Sequence, residues 1–178
     1  MKTVTFLTCL LLFATSTNSQ QATNLKDVRR LDVEVENLSK VDHEMGLSEE
    51  SLRSFVRTSI ERELPEIEIE PTSNDYIQIR IMSVKTSESS VASFVSVDFG
   101  RYVTILRDED NQAVGNALAS VWEKSAMLAG ASEDMGSKIG DEVGKQLTAL
   151  ATDYHRQNPK VIARFSYNPQ RIYEIIGQ

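Results

Sequence analysis

The chain has 178 residues, 19 Lys and Arg against 26 Asp and Glu, and a formal net charge of −7. That acidity repels phosphate backbones and anionic headgroups, which argues against nucleic acid and against electrostatic adsorption to membranes. A single cysteine, Cys9, excludes an internal disulfide framework, so the fold must be held by its core.

Lys2 precedes an uncharged apolar run, Val4 to Ala14, and small residues follow at Ala14, Ser16 and Ser19. A basic start, a short apolar segment and small residues at −3 and −1 are the pattern of a cleavable signal peptide, expected here over residues 1–19. The run is about half of the roughly 20 residues that cross a bilayer. Cleavage removes Lys2 and Cys9, leaving 18 cations against 26 acids, no thiol, and no thiolate nucleophile or metal ligand. About 159 residues remain, enough for one core. The expected layout is a flexible leader at 20–26, a single domain over 27–160 and a C-terminal extension at 161–178.

Leu31 to Glu36 alternates as a strand with one buried face. Asn37 to Met45 reads as a polar loop closed by Gly46. Ser48 is a good N-cap, with Glu49 and Glu50 at the positive end of the helix dipole and Leu47 placed to staple onto Leu52. Leu52, Phe55, Val56, Ile60 and Leu64 recur at helical spacing, and Pro65 stops the helix. Glu66 to Pro71 is a short strand whose proline points to a sheet edge. Tyr76 to Val84 alternates, with Ile77, Ile79 and Ile81 on one face and Gln78 and Arg80 on the other.

Val91 to Leu106 is a long strand whose odd positions carry Val91, Val95, Val97, Phe99, Val103 and Ile105, with Phe94, Tyr102 and Leu106 on the other parity. Gly100 within it marks a bulge or bend. Asp108 to Asn111 is a hairpin turn leading to a strand at Ala117 to Trp122. Ser132 then caps a second helix, with a stripe of Met135, Ile139, Val143, Leu147, Leu150 and Tyr154, ended by Asn158-Pro159. The tail holds two apolar stretches, Val161 to Phe165 and Ile172 to Ile176, and is locally basic. The order β-α-β-β-β-β-α plus tail implies an α+β fold, with two helices on one face of a mostly antiparallel or mixed sheet.

Gly136, Gly140 and Gly144 are spaced by four on the second helix. Each costs about 0.5–1 kcal/mol relative to alanine, so close approach of another backbone, from the same chain or from a partner, is the expected reason. Trp122, the only tryptophan, is either core packing or an interface anchor. Asp42-His43-Glu44 places an imidazole between two acids, but a metal or acid–base centre would need more ligands, and only His155 adds an imidazole. A cation at His155 also suits a helix C-terminus. The acidic run from Asp108 has Ala113 and Ala119 where an EF-hand needs Gly and Glu. Asn37-Leu38-Ser39 is a glycosylation sequon in a eukaryotic setting only. No nucleophile elbow, P-loop or dinucleotide fingerprint is present.

The helix entry at Gly46-Leu47-Ser48, the short Ile67/Ile69 strand, the segment from Ala117 to Trp122 and the ending Asn158-Pro159-Lys160 together resemble a group of small exported bacterial proteins of unknown function. More distantly, the order is similar to accessory α/β domains of cell-envelope assemblies, such as the N-terminal domain of the Tol-system propeller protein and the curli-secretion lipoprotein. The likeness spans about residues 28–160, and the tail departs from it. It implies a non-enzymatic periplasmic or envelope role and carries over no catalytic residue.

These readings converge on an exported binding or accessory module, periplasmic or secreted, with no cofactor or metal, and with a protein partner or self-association. Gly136, Gly140, Gly144 and Trp122 are its candidate contacts. A small hydrolase or metal-dependent enzyme using His43, and a homo-oligomeric structural protein, are the alternatives from other classes. Mass spectrometry of the exported chain should find residues 1–16 or 1–19 missing; an intact Met1 or a lipid adduct on Cys9 would overturn the cleavage.

Overall fold

The computed structural model describes residues 25–107 and 112–159. Five strands, β1 (Arg30–Val35), β2 (Glu68–Ile69), β3 (Asp75–Lys85), β4 (Ser90–Leu106) and β5 (Ala113–Ala131), form one sheet in the order β2-β1-β3-β4-β5. The described residues also form three helices, α1 (Lys40–Glu44), α2 (Glu49–Glu63) and α3 (Ser132–Gln157). β1 runs parallel to β2 and β3, whereas β3, β4 and β5 form an antiparallel meander, so the sheet is mixed. The α+β architecture expected from the sequence is present.

Parity decides which face is buried. Val33, Ile77, Phe99 and Trp122 stand opposite one another across four strands, all on the same side. Val35, Ile79 and Val97 form the next row. Onto this face α2 lays Leu52, Val56 and Ile60, and α3 lays Met135, Ile139, Val143, Leu147, Leu150 and Tyr154. Ser83 and Ser93, directly opposed in the same layer, satisfy each other's hydroxyls at 2.7 Å. The odd positions of β4 stop being core beyond Arg101, because β3 ends opposite it. Ile105 is accordingly 46% exposed.

Several local expectations need correction. The loop at Asn37–Met45 contains α1, nucleated by a capping box in which Ser39 Oγ accepts from Asp42 N and Ser39 N donates to the Asp42 carboxylate. Phe55, placed in the apolar stripe of α2, is 41% exposed and lies beside α3. The strand at Glu66–Pro71 shrinks to two edge residues, and Pro71 lies just beyond them. Ser132 is the first residue of α3 rather than its cap; Ala131 is the N-cap, and Ser132 N and Oγ instead bond to Ser89 O. β5 runs nine residues beyond Trp122, drawn on by continuous pairing with β4.

The leader expected over residues 20–26 is already anchored at Leu25, which is 1% exposed. Leu25 N donates to Gln157 Oε1, and Asn158 Nδ2 donates to Leu25 O at 3.0 Å. Nearby, Tyr154 donates its phenol to Val28 O, and burial pushes that phenol up to about 12. The bond's contribution to stability is therefore present below the ordinary tyrosine value of 10.0 and lost as pH rises toward 12. The expected signal peptide, the Asp108–Asn111 turn and the 161–178 extension lie outside the described residues.

The glycine expected to mark a bulge does so: the β4–β5 register shifts between Phe99 and Gly100. The Tyr76 ring fills the space where a Gly100 side chain would stand. Gly100→Ala should lower stability by about 1–3 kcal/mol, and by less in a Tyr76→Ala background. Urea midpoints of the four proteins measure this.

Candidate functional site

The helices occupy the odd-numbered side of β3 and β4, which leaves the even-numbered side uncovered by any helix among the described residues. Register assembles that side into rows. Glu34, Gln78, Asp98 and Glu123 form one row across β1, β3, β4 and β5. Arg80, Ser96 and Ser125 form the next, followed by Met82, Phe94 and Met127.

The polar rows are tightly bonded. Arg80 Nε donates to Glu36 Oε1 at 3.0 Å, and Ser96 Oγ donates to Asp98 Oδ2 at 2.7 Å. The Glu36 hydrogen bond, helped by the charges of Asp98 and Glu123, raises the Arg80 pKa above its ordinary value. The apolar row is open, with Met82 55% and Met127 70% exposed. Contiguous exposed apolar side chains are uncommon on monomers and mark contact surfaces.

Two further features adjoin this face. Among the described residues β5 is the outermost strand of the sheet, and its residues Ala113–Ala131 include only Glu123 and Lys124 as charged side chains and no proline. Natural edges are usually blunted by such residues. Beyond Arg101, β4 and β5 continue as a two-stranded ribbon bearing exposed Tyr102, Ile105, Val114 and Leu118.

The residues singled out from the sequence do not converge on one place. Trp122 is 2% exposed, in the core row, and its Nε1 donates to Asp153 Oδ2 at 2.9 Å near the end of α3. Gly136, near the start of α3, lies against the Met45 carbonyl, so the expected close backbone approach comes from within the chain. A side chain at Gly144 would make ordinary contact with Phe55 at 3.5 Å, and at Gly140 it would meet nothing within 4 Å.

His43 and Asp42 serve local structure: the His43 ring contacts Leu47 O at 3.1 Å, and Asp42 belongs to the capping box. His155 Nε2 contacts Glu63 O at 3.0 Å, holding the end of α3 to the end of α2. Among the described residues no group of three or more His, Cys, Asp or Glu is arranged to hold a metal ion. An open cleft of about 430 Å³ beside Asp27, Arg29, Arg30 and Thr72 is largely self-neutralised, since Arg30 pairs with Glu68 and Glu70. No described helix is long and apolar enough to cross a membrane.

Of the uncovered face, the sequence shows Gln78 and Arg80 as the second parity of β3 and Phe94 as part of the second parity of β4. The row itself is not legible there, because Met127 falls in the part of β5 that lacks alternation, and only register brings it beside Phe94 and Met82.

No protein-family model matches the chain, and no curated protein matches it. Among solved structures, it is similar to a minor lipoprotein from Acinetobacter baumannii, at 11% identity and a TM-score of 0.28 over 70% of this chain and 94% of that one. A Caulobacter crescentus protein described as a lipoprotein aligns at 9% identity and a TM-score of 0.22, over 74% and 95% of the two chains. A Helicobacter pylori protein described as a neuraminyllactose-binding hemagglutinin homolog aligns at 13% identity and a TM-score of 0.20, over 92% and 97%. Likeness at these scores carries no argument about function.

The three helix glycines are separable by experiment. Gly140→Ala should stabilise the domain by about 0.5–1 kcal/mol, the helix-propensity gain alone. Gly136→Ala should destabilise it by about 1–3 kcal/mol, because the Met45 carbonyl cannot retreat cheaply. Denaturant titrations giving the same sign for both would contradict the packing described.

Proposed function

We propose that this chain is an exported, non-enzymatic binding module of the cell envelope whose contact surface is the uncovered face of its sheet. The observation that carries the reading is the row in which exposed Met82 and Met127 flank half-buried Phe94, beside the outer strand β5. A sheet face that packs on nothing gains little from three large apolar side chains in register, whereas a binding face needs such a desolvated centre. The polar rows beside it supply orientation, since the partly exposed Arg80 and Glu36 are already held in a fixed hydrogen bond above the buried Ser96–Asp98 pair.

Export rests on the N-terminal sequence: Lys2, the apolar run to Ala14 and the small residues before Gln20. The enzyme alternative built on His43 is weakened by the local work that His43 and Asp42 perform in α1 and its cap. The homo-oligomer alternative loses much of its support with Gly136 packed inside the chain and Trp122 in the core.

The paired substitution Met82→Asp and Met127→Asp tests the reading. Both side chains are exposed, so thermal stability should change by no more than about 1 kcal/mol. Capture of envelope proteins by the immobilised chain should fall at least about tenfold, roughly 1.4 kcal/mol of binding. Quantitative mass spectrometry showing the same captured set at the same level for both proteins would overturn the proposal.

A further inference from the structure

The uncovered face has a sign as well as a shape. Glu34, Asp98 and Glu123 lie in one row, and with strands about 4.8 Å apart the row spans about 14 Å. The cation next to them, Arg80, already donates to Glu36. Among the described residues neither Glu34 nor Glu123 has an ion pair. Met127 is four residues along β5 from Glu123 and shares its face, because side chains on a strand alternate.

From Glu123 to Ala131 the outer side of β5 has no neighbouring strand among the described residues. An edge of backbone N–H and C=O groups is satisfied by another strand and not by a helix, whose own backbone groups are already bonded. The lateral neighbour of Glu123 on such a strand would meet a surplus of negative charge. The lateral neighbour of Met127 would extend the Met82–Phe94–Met127 row.

We infer that the outer edge of β5 takes an extended segment of a partner protein as a sixth strand, cationic beside Glu123 and apolar beside Met127. This deepens the binding-face reading above and rests on it. Added main-chain hydrogen bonds supply affinity, and the two side chains, four positions apart, set register and select against acidic segments. The chain's own charge of −7 acts in the same direction.

The test uses the full exported chain and two fluorescein-labelled synthetic nonapeptides, identical except for Lys or Glu four positions from an isoleucine on the same face. By anisotropy the Lys peptide should bind at least about tenfold more tightly than the Glu peptide, and Glu123→Lys should reverse the order. Amide exchange should slow, when the Lys peptide is added, at those N–H groups of residues 123–129 that face away from β4. Equal affinities, an order unchanged by Glu123→Lys, or unaltered exchange in β5 would overturn the inference. Protection of the same amides without peptide would also overturn it, assigning the edge to a second copy if lost on dilution, or to residues 161–178 if lost on their removal. Failure of the peptides, with capture still dependent on Met82 and Met127, would remove the cationic strand and leave the binding face standing. Loss of both would remove both.

Discussion

One apolar surface, the odd-numbered side of β3 and β4, is what every other element is attached to. Ile77, Ile79, Val95, Val97 and Phe99 are each no more than 2% exposed. Each such side chain contributes about 1.5–3 kcal/mol by leaving water. With one cysteine in the whole chain, no covalent staple substitutes for this layer. α2 and α3 bury their stripes on it, and α1 and the Leu25 segment close its margins. Because the described helices all go to one side, no helix among the described residues covers the opposite side, and the candidate binding surface follows from how the core is built.

The bulge at Phe99 and Gly100 reconciles two demands on β5. Trp122 must point inward to complete the row begun by Val33, while Leu118 pairs with Tyr102 on the outer side. Unbroken alternation would set both on the same side, because their numbers share parity. The extra residue, Val121, resets the alternation. Gly100 permits the Tyr76 ring to cover the irregularity, 6.0 Å from the Tyr102 ring.

Where a segment is both periodic and long, its residues announce its structure. β3, β4, α2 and the stripe of α3 were all readable, and Ser48 caps α2 by accepting from Ser51 N. The segments whose structure the sequence leaves open are short or compositionally neutral. α1 spans five residues, too few for periodicity, and its only signal is Ser39 with Asp42 three residues on. From Glu123 to Ala131, alanine, serine and glycine show no clear face, and partnership with β4 decides the outcome. The glycines of α3 stand out in the sequence by their cost, but only tertiary packing separates Gly136, where a side chain would strike the Met45 carbonyl, from Gly140, where it would meet nothing. The uncovered face was half visible for a related reason. Parity shows which residues share a face within one strand, while the pairing of strands decides which residues are neighbours across it.

The clasp between Leu25 and Asn158 has a consequence for the chain as a mechanical object. Leu25 N meets Gln157, Leu25 O meets Asn158 Nδ2, and Asp27 N meets Asn158 Oδ1 at 3.1 Å. The two ends of the described domain are thus buttoned together, and entry and exit share one doorway. Tension along the polypeptide would open that doorway before it reached the meander. The same closeness would let the domain be spliced into a host chain, or cut open elsewhere and rejoined here, without rearranging a strand.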